Sequence, residues 1–229
     1  MNKQIIVPLD MDHDKAIELA KCFNPELCRL KVGNQLFTSS GPKIIEELNA
    51  LGYEIFLDLK FHDIPNTVYE AVRSAADLGV WMLNVHIAGG RSMLEKAKEA
   101  LDSYTQPPLL IGVTMLTSLS NEDVKELGIN DISDTILNLA NLAKESGLDG
   151  VVCSPREASL IKDKLGKDFI AVTPGIRLEA SSDDQVRVLT PTEAVNNGSD
   201  FLVIGRPITQ SRNPLESLKE IITDLNSWN

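Results

Sequence analysis

Apolar positions along the chain follow two alternating patterns. Short β-branched and Leu-rich runs recur at "QIIVPLD" (4–10), "LCRLKVG" (27–33), "EIFLDLK" (54–60), "WMLNVH" (81–86), "PLLIGVT" (108–114), "DGVVCS" (149–154), "FIAVT" (169–173) and "DFLVIG" (200–205), and read as strands. Between them, apolar residues spaced three and four apart predict helices over 14–23, 41–51, 64–78, 91–102, 134–146, 155–165, 191–197 and 214–226. Gly52, Gly79, Gly147 and Gly198 stand where helices must stop before the next strand. Strands alternating with helices, without a linker or low-complexity segment, predict one domain over 1–229, a closed (β/α)₈ barrel. An open doubly wound sheet shares the alternation but usually carries a glycine-rich nucleotide turn after its first strand. Here that strand runs into "PLDMDHD", with no G-x-G-x-x-G.

Composition narrows the class. The 229 residues are 43% hydrophobic and 24% charged, enough for a sizeable core, and the formal net charge is -11. With no Lys/Arg block to offset it, that charge argues against nucleic acid or an anionic membrane as partner. An anionic ligand would need a local cluster of cations. Cys22, Cys28 and Cys153 form an odd set without metal-like spacing, as expected for reduced thiols in a cytoplasmic protein. The N-terminal stretch lacks a signal-peptide pattern, and no run of 18 apolar residues suggests a membrane span. "NGS" at 197–199 reads as a glycine turn before a strand rather than a glycosylation site.

A barrel carries its chemistry at the C-terminal ends of its strands and in the loops that follow. Asp58 and Lys60 lie two apart on the third strand and so share a face, with Leu57 and Leu59 facing the helices. Asp63 follows in the loop "FHDIPNT", stiffened by Pro65. A carboxylate–ammonium–carboxylate row suits a charged, aimed lysine acting as electrophile or proton donor. A Schiff-base lysine instead requires an apolar or cationic setting. The alternative is an ion-pair network that only closes the top of the barrel. Asp10 and Lys31 end the first two strands and could hold sugar hydroxyls, or form an isolated ion pair.

The eighth strand ends in "VIGRPIT", where Gly205 permits close backbone approach and Arg206 offers a bidentate donor fork. Loops after strands seven and eight are the usual phosphate site of such barrels. The long segment "TPGIRLEASSDDQVRVLTP" adds Arg177 and Gln185 as donors and suits a phosphate-gripping lid, though long loops are also tolerated as plain insertions. His13, His62 and His86 lack metal-ligand spacing, and there is no H-E-x-x-H, G-x-S-x-G or Walker-type lysine loop. His86 ends the fourth strand and fits a hydrogen-bonded barrel residue as well as a catalytic one.

"LKVGNQLFT", "DLKFHDIPNT", "VTMLTS", "TPGIR", "DQxRVxTP" and "VIGRPIT" occur in this order along the chain, which in this respect resembles the bacterial orotidine 5′-phosphate decarboxylase family. The resemblance implies a homodimer of barrels with shared active sites, orotidine 5′-phosphate as substrate, and neither cofactor nor metal. It further implies Lys60 as proton donor within the array Lys31, Asp58, Lys60 and Asp63, with Asp63, Ile64 and Thr67 reaching into the partner's site. Asp10 and Lys31 would hold the ribose, Thr117 would contact the pyrimidine, and Arg177, Gln185, Gly205 and Arg206 would hold the phosphate. The stretch from "TPGIR" to "DQ" is one residue shorter than the family pattern. Two rival readings are a Mg²⁺-dependent sugar-phosphate decarboxylase or aldolase with a D-x-K-x-x-D signature, and a phosphate binder with a degenerate site. The first would place a carboxylate at the end of strand two, where Lys31 stands. The second would break the charge row, and all four of its members are present.

Overall fold

A computed structural model describes residues 3–177 and 189–227. Eight parallel strands close into a barrel in sequence order: β1 (Ile5–Pro8), β2 (Arg29–Gly33), β3 (Ile55–Phe61), β4 (Met82–His86), β5 (Leu109–Val113), β6 (Gly150–Val152), β7 (Ile170–Thr173) and β8 (Phe201–Val203). β8 pairs back onto β1 through Ile5↔Leu202 and Ile6↔Val203, so the sheet has no free edge. The helices are α1 (His13–Cys22), α2 (Asn34–Ser40), α3 (Lys43–Ala50), α4 (Pro65–Asp77), α5 (Arg91–Glu99), α6 (Asn121–Glu126), α7 (Ile132–Glu145), α8 (Pro155–Leu165), α9 (Pro191–Asn196), α10 (Arg206–Thr209) and α11 (Pro214–Asn226). The eight helices expected from periodicity are all there. The short α2, α6 and α10 are additional, because segments this short bury too few residues to leave a readable stripe: Leu36 alone in α2, Ile208 alone in α10.

Strand parity splits the core in two. Ile55 and Leu57 of β3 join the large cluster between barrel and helices, whereas Phe56 joins Ile6, Met82, Ile111 and Val172 in the barrel interior. The bottom of the interior is closed by Arg29, whose guanidinium lies 4.0 Å from the Trp81 ring centroid and 5.1 Å from that of Phe201. Glu54 pairs with the same guanidinium at 3.1 Å. The polar groups that line the cavity stand at the opposite, C-terminal mouth. All three cysteines are free, and burial pushes the Cys28 thiol up to about 12. Among the described residues no helix is long and apolar enough to cross a membrane.

The β6–β7 seam depends on a glycine. A Cβ on Gly150 would sit 2.2 Å from the Ile170 carbonyl oxygen and 2.5 Å from Ile170 Cβ, so two strands would have to separate. Gly150→Ala is therefore expected to destabilise the fold by about 1–3 kcal/mol through overpacking. Thermal unfolding followed by circular dichroism should show a drop of roughly 2–4 °C per kcal/mol.

Candidate active site

A cavity of about 580 Å³ opens at the C-terminal mouth of the barrel, a volume in the range of small-ligand sites. Its floor is apolar, formed by Phe56, Val113, Val152, Val172 and Val203, which continue the interior packing upward. Charge on the wall comes from two neighbouring groups of strands, since β8 pairs with β1. Asp10, Lys31, Asp58 and Lys60 come from β1–β3, and Arg177 and Arg206 from the segments after β7 and β8. Thr117, from the loop after β5, also lines the wall, and Gly205 sits beside Arg206.

The first group is a continuous chain of opposite charges. Lys31 Nζ lies 3.2 Å from Asp10 Oδ1 and 3.2 Å from Asp58 Oδ2. Lys60 Nζ donates to Asp58 Oδ1 at 2.6 Å. Gly33 makes room for this arrangement: a Cβ there would lie 3.1 Å from Lys31 Nζ and 3.3 Å from Asp10 Oδ1. Lys31 and Asp58 are buried, Lys60 half-buried and Asp10 exposed, so the row runs from solvent into the interior and back toward the mouth. Burial pushes the Asp58 carboxyl up, but the charges of Lys31 and Lys60, with hydrogen bonds from Lys60 and Asn84, outweigh it and hold the group below its ordinary value. An ionised Asp58 is the consequence at any pH near neutral.

Asn84 is a member of the site that the sequence reading passed over. It is fully buried on β4, its Nδ2 donates to Asp58 Oδ1 at 2.7 Å, and its Oδ1 accepts the Lys60 backbone N–H at 2.8 Å. Strand parity could have found it, since Asn84 stands two residues after Met82 of the interior cluster. The bond to Lys60 replaces a lost ladder contact. The β3–β4 register runs Phe56↔Met82 and Leu57↔Leu83, then resumes at Phe61↔Val85, leaving Asp58, Leu59 and Lys60 opposite Asn84. Lys60 has φ +53°, and among the described residues it is the one non-glycine with positive φ. That conformation costs about 1–3 kcal/mol and is characteristic of functional positions.

The remaining expected residues fall into two groups. Asp63, Ile64 and Thr67 stand on the exposed β3–α4 connection and first turn of α4, outside the cavity lining of their own chain. Asp63 Oδ1 accepts the Ile64 N–H at 2.6 Å, and the Ile64 side chain is 66% exposed. Gln185, with the lid expected over 178–184, lies outside the described residues. His86 is not in the cavity wall. Its ring centroid lies 5.4 Å from that of His62, and burial first, then His62 and Lys60, hold it below its ordinary value, so it is neutral at pH 7. Among the described residues no group of His, Cys, Asp and Glu could hold a metal ion.

A parallel barrel with a mixed-charge row at the ends of its first three strands and arginines after its last two defines a class: a barrel enzyme that acts on a small phosphorylated substrate. The chain belongs to the orotidine 5′-phosphate decarboxylase / HUMPS family, whose model matches residues 3–221. It is 54% identical over 225 residues to the orotidine 5′-phosphate decarboxylase of Chromobacterium violaceum, covering 97% of this chain and 91% of that protein. The same enzyme of Saccharophagus degradans is 51% identical over 225 residues, with 97% and 94% covered. The crystal structure of orotidine 5′-phosphate decarboxylase from Lactobacillus acidophilus superposes with a TM-score of 0.87 at 37% identity, over 98% of this chain and 99% of that one.

The lowered Asp58 value carries a stability signature. The unfolded carboxyl, near 3.8, binds a proton at a higher pH than the folded one, so stability rises with pH through that window. The contribution is present above the unfolded value and lost as pH falls through the folded one. Urea unfolding between pH 3 and 7 should therefore show a steeper acid-side loss for the parent than for Asp58→Asn, which at neutral pH is itself less stable because two lysines lose their shared counter-charge. Identical acid-side slopes would contradict an ionised, doubly paired Asp58.

Proposed function

We propose that the chain decarboxylates orotidine 5′-phosphate to UMP and CO₂, the closing step of UMP synthesis, with Lys60 as the proton donor. The observation that carries the mechanism is the row Asp10–Lys31–Asp58–Lys60 at the barrel mouth, with Lys60 Nζ 2.6 Å from Asp58 Oδ1. When the C6–carboxylate bond breaks, its electron pair stays on C6 in the plane of the pyrimidine ring, where the π-system cannot delocalise it. Stabilisation must then be electrostatic, from a cation already in place. The Lys60 ammonium is such a cation, and transfer of its proton to C6 completes UMP while CO₂ departs. The neutral amine regains a proton from solvent. Asp58 orients the ammonium through the hydrogen bond, and its charge beside the substrate carboxylate disfavours the bound ground state. The apolar floor of Phe56, Val113 and Val152 suits an uncharged CO₂ better than the carboxylate it replaces.

The other residues divide the substrate among them. Asp10 and Lys31 hold the ribose, Thr117 the pyrimidine, and Arg177, Gly205 and Arg206 the phosphate, with Gln185 as a further donor. Their shared place in the lining of one cavity supports this division, except for Gln185, which rests on the resemblance alone. Phosphate binding away from C6 supplies energy for ordering the reacting end. Both oxygens of Asp58 already face ammonium groups, which favours a metal-free mechanism over the Mg²⁺-dependent barrel chemistry. The exposed Asp63–Ile64 connection favours a homodimer in which Asp63, Ile64 and Thr67 complete the partner's site. The composition and free cysteines fit a cytoplasmic protein.

Purified protein should consume orotidine 5′-phosphate, followed by its absorbance, at an unchanged rate in excess chelator. Lys60→Ala should lower kcat by at least about 10³-fold, the upper range for a lost proton-transfer group, while still binding UMP. Near-normal kcat in that variant would exclude Lys60 as donor. Co-refolding Lys60→Ala with Asp63→Ala tests the shared site. Heterodimers should each hold one intact site, returning about a quarter of parental activity from a statistical mixture. Confirmed heterodimers without recovery would exclude it.

A further inference from the structure

We infer that Asn84 is a positioning residue for decarboxylation, holding the Lys60 backbone in its left-handed conformation and one Asp58 oxygen in register, so that the ammonium has a single aim. The role presupposes Lys60 as the proton donor.

The primary amide carries a donor and an acceptor on the same carbon at every pH, and both ends are used. Its carbonyl oxygen must face the Lys60 N–H at 2.8 Å, and its amino group must face the Asp58 carboxylate at 2.7 Å. The reverse orientation would set oxygen against oxygen. Asp58 Oδ1 thus accepts two donors, the Asn84 amide and the Lys60 ammonium, the latter at 2.6 Å. Asn84 closes a ring that runs through the Lys60 backbone, the Lys60 side chain, Asp58 and back. A change in the Lys60 backbone must therefore move both ends of its side chain's anchor.

The bulge explains why such a clamp is needed. With three β3 residues opposite Asn84, the Lys60 N–H has lost its ladder partner, and φ +53° is not a conformation that a lysine holds unaided. Leucine or aspartate at 84 would keep the side-chain volume while changing this chemistry. Leucine offers neither bond. A protonated aspartic acid can reproduce both, whereas an ionised aspartate can accept from Lys60 N–H but repels Asp58. The titratable groups around that pair are Lys60 on β3, Lys31 on β2 and His86 on β4, with His62 beside His86. β5 contributes only apolar residues and Gly112 along its length.

The test uses N84L and N84D in the full chain. UMP affinity is measured by calorimetry, and kcat and KM for orotidine 5′-phosphate across pH 5.5–8.5. N84L should lose about 100-fold in kcat with UMP affinity within threefold of the parent, because the phosphate and ribose contacts are untouched. N84D should lose kcat progressively as pH rises, with an inflection the parent lacks, as its carboxyl ionises against Asp58. A kcat within threefold of the parent in N84L, or a parent-like kcat and pH profile in N84D, would overturn the assignment. Equal loss of UMP affinity and kcat in both variants would also overturn it, in favour of a folding role. If N84L does not fold, the N84D profile decides alone. An inactive parent would refute the decarboxylase reading itself, and an active Lys60→Ala the role of Lys60. Neither result depends on residue 84.

Discussion

The site is organised by one buried carboxylate. Asp58 receives Lys31 on one oxygen and Lys60 and Asn84 on the other, and each of these neighbours then meets something else. Lys31 reaches Asp10 at the first strand, and Asn84 reaches the backbone of Lys60. An unpaired charge at this depth would cost several kcal/mol, so the carboxylate is tolerable only with these partners present. The dependence is mutual, because two ammonium groups on adjacent strands would repel without Asp58 between them. Four strands of the barrel, β1 to β4, are tied by this one group.

The scaffold makes that tie possible by separating interior from mouth. Phe56, Met82, Ile111 and Val172 fill the interior, and Arg29 lying over the touching Trp81 and Phe201 rings closes the bottom. With the bottom closed and the middle apolar, the polar side chains that can meet substrate stand at the top. On β3 the transition occurs within one side-chain repeat, from Phe56 to Asp58. The bulge that follows gives up regular pairing between β3 and β4, and Lys60 takes a backbone conformation that ordinary strands avoid. Stability lost there is offset by the surrounding ladders, which constrain the bulge from both sides. The mouth is thus the least relaxed part of a molecule whose interior is otherwise regular.

How far the sequence made this legible depends on the kind of signal. Strands and long helices were readable because each buries enough apolar residues to leave a period. The row of Asp58, Lys60, Lys31 and Asp10 was readable because charge at the end of an apolar run is conspicuous. Asn84 obeyed the same parity as Asp58 but is neutral and stands between Leu83 and Val85, so it did not announce itself. The bulge was not readable at all. "FLDLKFH" alternates like a regular strand, and nothing local in it says that Lys60 takes a positive φ, because that conformation comes from the register with β4. Gly33 and Gly150 likewise acquire meaning only from neighbours distant in sequence.

The distribution of charge explains how an acidic protein can serve an anionic substrate. With a net charge of -11, the average field repels a nucleotide, so attraction must be local. Arg177 and Arg206 supply it from the segments after β7 and β8. In the row at the ends of β1–β3, Lys31 and Lys60 are each paired with a carboxylate, which lowers the net attraction there but fixes geometry. The two groups therefore suit different tasks. Arginine forks suit capture of a phosphate, whose oxygens they can bind in pairs. A compensated row suits a reacting centre, where an ammonium must already point at the carbon that becomes negative and no reorganisation can be left for the moment of bond breaking.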